Sequence, residues 1–77
     1  MESASGNKVT FQIEESLLVL SENDQGWKKE VNRVSWNGKE AKIDLRSWSP
    51  SHSRMSKGIT LTEQEWQALV SLIKSKF

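Results

Sequence analysis

The side chains best suited to chemistry in this 77-residue chain are tryptophans and cations concentrated between Trp27 and Trp48. Flat rings can stack on unpaired nucleobases while neighbouring lysines and arginines contact phosphates, which is how many proteins hold single strands with little sequence preference. The alternative is that the rings pack against the fold or a second subunit, and that the lysines protect an exposed sheet from edge pairing. The candidate nucleic-acid-binding residues are Trp27, Lys28, Lys29, Arg33, Trp36, Lys39, Lys42, Arg46, Trp48 and Lys57.

The charge is unevenly distributed along the chain. The formal net charge is only +1, but residues 1–26 carry −4, residues 27–57 carry +5 and residues 58–77 are neutral. The positive charge therefore lies in the same segment as three of the tryptophans. A basic segment of this kind is where an anionic polymer would bind.

Catalytic and metal-binding patterns are weak. There is no cysteine, and His52 is the only histidine, so no second strong ligand completes a zinc site. A Ser-His-Asp set could be drawn from Asp44, His52 and a serine, but no nucleophile elbow or Gly-rich phosphate loop gives it context. We therefore predict no enzymatic activity, no metal and no cofactor, and an ordinary exposed His52.

The elements that must position these residues begin with a hairpin. Asn37-Gly38, flanked by two alternating runs, is the pair best suited to the positive φ values of a tight turn. A two-residue loop would place Trp36 opposite Lys39 and put a cationic, aromatic set on one face, whereas a three-residue loop with a bulge would change that assignment. The predicted partners on that face are Arg33 with Lys42, Val31 with Asp44, Lys29 with Arg46, and Trp27 with Trp48. The opposite face, with Val34, Asn32 and Glu30 beside Ala41, Ile43 and Leu45, is expected to cover the core.

The rest of the chain predicts one domain over residues 8–77, after a disordered tail at residues 1–7. Residues 8–21 alternate as a strand with a bulge or bend at residues 14–16, and residues 58–61 form a short fourth strand after a serine-rich loop. Thr62 and Glu65 form a capping box, which predicts a helix from there to Phe77. The expected fold class is α+β, a curved four-stranded antiparallel sheet followed by one C-terminal helix.

The predicted helix carries an apolar stripe, which we assign to the core. Leu72 lies off that stripe, so the helix is apolar on more than one side, and a chain this short buries a limited fraction of its surface. Both observations favour a homodimer in which part of the helix contacts the partner. The residues assigned to the core and the dimer contact are Trp66, Leu69, Val70, Ile73 and Phe77.

Two sequence segments resemble the single-stranded DNA binding domain of the transcriptional coactivator positive cofactor four. They are AKIDLRSWSP at residues 41–50 and MSKGITLTEQEWQALVSLI at residues 55–73, and the resemblance covers residues 27–77. The longer first strand and the segment LSENDQGWKKEVNRVSWN look like the bacterial YdbC-type branch of that family. The resemblance implies a homodimer that binds unpaired DNA across concave sheet surfaces. The positions that match the family's DNA contacts are Trp36, Lys39, Arg46, Trp48 and Lys57.

The sequence thus predicts a dimeric, non-catalytic protein that binds single-stranded DNA, or unpaired stretches within duplexes, by phosphate contacts and base stacking. Two alternatives remain open: a protein-interaction module whose basic face meets an acidic partner, and an RNA-binding protein. Transcription machinery is a further candidate partner. Residues 1–8 lack the pattern of a secretory signal and no run has membrane-spanning length, so we expect a cytoplasmic, nucleoid-associated protein.

Overall fold

The computed structural model describes residues 9–77; the expected disordered tail at residues 1–7 lies outside this range. Four strands precede one helix: β1 (Phe11–Glu22), β2 (Lys28–Trp36), β3 (Lys42–Trp48), β4 (Ile59–Leu61) and α1 (Glu63–Lys76). The strands form one antiparallel sheet in the order β1-β2-β3-β4. The predicted α+β fold class and element order are confirmed. Within the described residues, no helix is long and apolar enough to cross a membrane.

The long strand β1 pairs with β2 through three irregularities in register, at Ile13/Glu15, Ser16/Leu18 and Val19/Ser21. Each extra residue bends the bulged strand and increases its twist. The first of these falls at Glu14, inside the segment where the sequence predicts a bend, and the other two were not anticipated. The bulges allow β1 to follow a strongly curved sheet.

The turn between β2 and β3 uses Asn37 and Gly38 with positive φ values of 53° and 74°, as the sequence predicts. However, Val34 pairs with Lys42, so seven residues, 35–41, lie between the two partners. A two-residue loop would require an even number. The amide of Lys39 donates to the Trp36 carbonyl, and the Ser35 hydroxyl donates to the Lys39 carbonyl, so Lys39 is accommodated within the turn. The predicted two-residue-loop register is therefore wrong by one residue.

This register sorts the paired side chains into two faces. We call one the concave face, and its members in the strand ladders are Phe11, Ile13, Ser16, Val19, Glu22, Lys28, Glu30, Asn32, Val34, Trp36, Lys42, Asp44, Arg46, Trp48 and Thr60. The opposite, convex face carries Gln12, Glu15, Leu18, Ser21, Lys29, Val31, Arg33, Ser35, Ile43, Leu45, Ser47, Ile59 and Leu61. The cationic, aromatic face predicted from the sequence matches the concave face for Lys42, Arg46 and Trp48 of β3. For Lys29, Val31 and Arg33 of β2 the prediction is reversed, because these side chains lie on the convex face.

Aromatic contacts on the concave face show how far the sheet curls. Phe11 lies beside Trp36 at one end of β2, and Trp48 lies beside Lys28 at the other end. In a flat sheet these two ends would be about 26 Å apart, at about 3.3 Å per residue. The Phe11 and Trp48 ring centroids are nevertheless 5.0 Å apart. The concave face therefore encloses its own aromatic cluster.

The connection from β3 to β4 folds back along β3. Trp48 forms an isolated bridge with Met55, and the Ser49 amide donates to the Arg54 carbonyl. Gly58 then lies so close to β3 that a β-carbon there would overlap the Leu45 carbonyl oxygen and the Arg46 side-chain stem. This loop and Gly58 hold the end of β3 in place.

Helix α1 begins at the predicted capping box. The Thr62 hydroxyl accepts from the Glu65 amide at 3.0 Å, and the Glu65 carboxylate accepts from the Thr62 amide at 2.8 Å. No residue of α1 is buried: Trp66 and Val70 are half-buried, while Leu69, Ile73 and Phe77 are exposed. The single chain therefore covers Trp66 and Val70 in part and leaves the other three exposed, so the assignment to the core is wrong for Leu69, Ile73 and Phe77. The predicted dimer contact stays a prediction.

An ion-pair bridge on the convex face ties the helix to two strands. Arg33 of β2 donates to both Glu63 carboxylate oxygens at 2.8 and 3.2 Å, and to the Glu15 carboxylate of β1 at 2.6 Å. The two carboxylates raise the pKa of Arg33, and the guanidinium lowers the pKa of Glu63 below its ordinary value of 4.5. Because all three side chains are partly exposed, solvent weakens each pair.

We expect Glu63→Gln to be less stable than the parent chain at neutral pH. A carboxylate with a lowered folded-state pKa contributes stability above its unfolded pKa and loses it as pH falls through the folded value. The difference between the two proteins should therefore begin to shrink as the pH falls towards about 4.5 and vanish once Glu63 is protonated in the folded protein. Urea unfolding across a pH series measures it.

The matched control is the same substitution in an Arg33→Gln background, where the pH-dependent difference should be absent. An equal pH dependence in both backgrounds would contradict the bridge.

Candidate nucleic-acid interface

Lysines border the concave face. Lys28 and Lys42 belong to its ladder positions and are exposed, and Lys39 is exposed in the hairpin turn. Lys57 is exposed in the loop that returns to β4. Two of the predicted cations thus lie exposed on the concave face itself, and two more lie exposed in the segments that connect its strands.

Arg46 is the central cation of this face, and its donors are engaged. Its Nε and Nη2 atoms each donate at 2.7 Å to a different oxygen of Asp44, which is fully buried. Its Nη1 atom contacts the Met55 sulfur and the Ser56 carbonyl. The bidentate pair offsets the charge of Arg46, so this residue is built into the face and offers less to a phosphate than the sequence suggests.

The Arg46 guanidinium also lies over the ring of Trp36, 4.6 Å from its centroid. Trp36 is half-buried, and its ring is 6.0 Å from that of Phe11. Arg46 and Phe11 therefore fix the orientation of the Trp36 indole on the concave face. The structure places Trp36 on the concave face, where it pairs with Phe11.

Trp48 is buried, with 0 % of its surface exposed. Its ring contacts those of Phe11 at 5.0 Å and His52 at 5.5 Å. The expectation of an open Trp48 ring on the sheet surface is wrong, because the curl of the sheet brings β1 and the β3–β4 loop over it. Trp48 is a core residue of the concave side.

Three further predicted residues lie away from the concave ladder. Arg33 and Lys29 are on the convex face, and Arg33 is held there by two carboxylates. Trp27 precedes β2 and is half-buried; its amide donates to the Asn23 side chain, and Arg54 lies 5.7 Å from its ring centroid. The one-residue shift in register accounts for the placement of Arg33 and Lys29.

The structure adds a polar group that sequence reasoning missed. His52, with a positive φ of 61°, is half-buried, and its Nε2 atom lies 3.0 Å from both carboxylate oxygens of Glu30. The Asn32 side-chain amide donates to the same carboxylate at 2.9 Å. The prediction of an ordinary exposed His52 is wrong. Nothing in the local sequence marks this group, since His52 and Glu30 meet only through tertiary folding.

Comparison with known proteins gives two matches. The sequence model of the family described as Transcriptional Coactivator p15 (PC4) matches residues 23–72, which include β2, β3, β4 and much of α1. A protein of Treponema pallidum (strain Nichols), described as an uncharacterized protein, is 42% identical over 65 residues. That alignment covers 84% of this chain and 76% of the relative. The family match includes Lys28, Lys39, Lys42 and Lys57, which we call the lysine border.

We expect Trp48→Ala to reduce the free energy of unfolding by about 3–5 kcal/mol, the usual cost of removing a buried large aromatic side chain. Denaturant unfolding followed by circular dichroism measures the change. Trp27→Ala is the matched control: it removes an indole that is only half-buried and should cost clearly less. Equal losses for the two variants would contradict the assignment of Trp48 to the core.

Proposed function

The chain belongs to the Transcriptional Coactivator p15 (PC4) family, and we propose that it binds single-stranded DNA, without catalysis, on the concave face of its sheet. Binding is largely independent of sequence and combines phosphate contacts with base stacking. The protein acts as a transcription-related or DNA-maintenance accessory factor in the cytoplasm, associated with the nucleoid.

One observation carries this proposal: exposed lysines surround a concave surface on which an aromatic ring is held in a fixed orientation. Lys28, Lys39, Lys42 and Lys57 provide the charge, and Trp36, oriented by Arg46, provides the ring. A single strand follows such a surface with its phosphates toward the lysines and its bases toward the ring. Trp48 is buried within the concave side and is not itself a contact in this proposal.

We also propose that the working unit is a homodimer. Leu69, Leu72 and Ile73 of α1 are exposed, and Phe77 is 99 % exposed. Ile59 of β4, on the convex face, is exposed as well. An apolar surface of this extent on a chain of 77 residues is typical of an interface with another subunit. The partner would cover the helix stripe that the single chain leaves open.

We expect binding of a thymidine oligonucleotide to depend strongly on salt. If four lysines neutralise phosphates, log affinity should fall against log salt with a slope of about −3, since each single-strand contact contributes about −0.7. Lys42→Ala should make the slope less negative by about 0.7. Fluorescence anisotropy at several salt concentrations measures it, with matched duplex DNA and RNA as comparison ligands.

The control for this series is Lys74→Ala, which removes an exposed lysine from α1, outside the concave face. It should leave the slope at the parent value. A slope near zero, or the same change in both variants, would contradict phosphate binding by the lysine border. An RNA preference would favour the RNA-binding alternative.

We expect Trp36→Leu to weaken single-strand binding by about 1–3 kcal/mol, the usual contribution of one stacked base. Leucine keeps an apolar side chain in the aromatic cluster but offers no flat ring. The salt slope should stay unchanged, because no cation is removed. Loss of affinity together with an altered slope would show that the substitution disturbs the lysine border instead.

We expect sedimentation equilibrium to give about twice the mass of 8.8 kDa at micromolar concentration. Ile73→Glu should shift the protein towards a monomer, since it places a charge in the exposed apolar stripe. Gln67→Glu, at an exposed polar helix position, is the control and should leave the mass unchanged. A parent chain that sediments as a monomer would contradict the homodimer.

A further inference from the structure

We propose that a cavity on the concave face adds, to binding that is otherwise largely independent of sequence, a moderate preference for nucleobases that carry an amino group. This inference rests on the proposed function, and it concerns which bases the single strand presents to the face. The cavity has a volume of about 170 Å³ and lies between the bulged part of β1, the middle of β2 and the β3–β4 loop. Its lining comprises Leu17–Val19 and the polar side chains of Ser16, Glu30, Asn32 and His52.

The polar lining is dominated by hydrogen-bond acceptors. The Glu30 side chain is only 7 % exposed, and it is fixed by the Asn32 amide at 2.9 Å and by His52 Nε2 at 3.0 Å. Asn32 is 1 % exposed. Its Nδ2 atom donates to Glu30, while its Oδ1 atom has no hydrogen-bond partner within the part of the chain that the structure describes. A buried acceptor without a donor is unfavourable, so the cavity is suited to a ligand that brings N–H groups.

The position of the cavity indicates which part of a single strand supplies those groups. Ser16 pairs with Asn32 and Val19 pairs with Glu30, so the cavity opens on the ladder that also carries Lys28 and Lys42. A carboxylate on this face repels phosphates, whereas it attracts the amino group of a base. The volume of about 170 Å³ is several times the roughly 30 Å³ share of one liquid water molecule, which leaves room for the edge of a base.

The chemistry of the bases then predicts a preference. Cytosine, adenine and guanine each carry an exocyclic amino group with two N–H donors, whereas thymine has no amino group and offers a single N3–H donor between two carbonyl oxygens. A base carbonyl directed at the Glu30 carboxylate and at Asn32 Oδ1 would be repelled, because all of these oxygens are hydrogen-bond acceptors. Unpaired bases are commonly recognised in this way, by hydrogen bonds to the edge that would otherwise pair.

The test compares two oligonucleotides of about 12 nucleotides, within the usual site size for one such surface. One is built from thymidine and the other from 5-methyldeoxycytidine, at mildly alkaline pH, where cytosine is neutral. Both carry the same methyl group and the same backbone, so the amino group and the ring nitrogen beside it are the only differences. We expect the unaltered protein to bind the cytosine strand about tenfold more tightly, as expected for a hydrogen bond to a charged acceptor.

Glu30→Gln tests whether the cavity causes the preference, because it keeps the shape of the side chain and replaces one acceptor oxygen with a donor. The ratio of the two affinities should fall to near one. Glu22→Gln is the matched control: it removes one negative charge from an exposed position of the same face. It should strengthen binding of both strands equally and leave the ratio unchanged.

Asn32→Leu is a second variant that removes the unpaired Oδ1 atom, and thermal unfolding reports whether each variant folds. The comparison of the two strands on the unaltered protein needs no variant. Equal affinities for the two strands would overturn the inference and leave single-strand binding intact. A preference that persists in folded Glu30→Gln and Asn32→Leu would also overturn it. Failure of both strands to bind would instead overturn the proposed function and, with it, this inference.

Discussion

The contact between the Trp48 and Phe11 rings joins the end of β3 to the start of β1, and the curvature of the sheet depends on it. A single sheet with one short helix has no second layer to bury its apolar side chains against. Here β1 bends at three bulges, and the concave face closes around its own rings. The same curl that buries Trp48 makes the face concave on which Lys28 and Lys42 lie exposed. Burial of an aromatic core and the concavity of the proposed binding surface are therefore two results of one deformation.

Arg46 connects this core to the groove. Its guanidinium is held by both oxygens of buried Asp44 and by the carbonyl of Ser56, and it lies against the Trp36 indole. A cation that appears from the sequence to be a phosphate ligand thus acts as a fixed support for an aromatic ring. The cations thus differ in their surroundings: the lysines are exposed, whereas Arg46 is held by buried Asp44. The exposed lysines are therefore free to contact a ligand, whereas Arg46 is engaged within the protein.

The sequence predicts most of the fold and much less of the site, for a physical reason that differs from residue to residue. The Asn37-Gly38 turn and the Thr62–Glu65 capping box are local, and the structure confirms both. The face of Arg33, in contrast, depends on whether Lys39 belongs to the turn or to the strand, and a shift of one residue reverses every side chain of β2. The burial of Trp48 and the pairing of His52 with Glu30 depend on curvature, which arises from bulges at Leu17 and Leu20 that carry no clear signature in the sequence. The spacing predicts the apolar stripe of α1 but not what covers it: the chain half-buries Trp66 and Val70 and leaves Leu69, Ile73 and Phe77 exposed.

Gly58 lies at the surface and contributes no side chain, yet the packing of β3 leaves room there for nothing larger than hydrogen. Any substitution must push on the Leu45 carbonyl or on the stem of Arg46, and through Arg46 the displacement reaches Trp36. Position 58 would therefore show the mutational profile of a ligand contact without touching a ligand. A mutational scan that interprets every loss of binding as the loss of a direct contact would therefore assign Gly58 to the binding site by mistake.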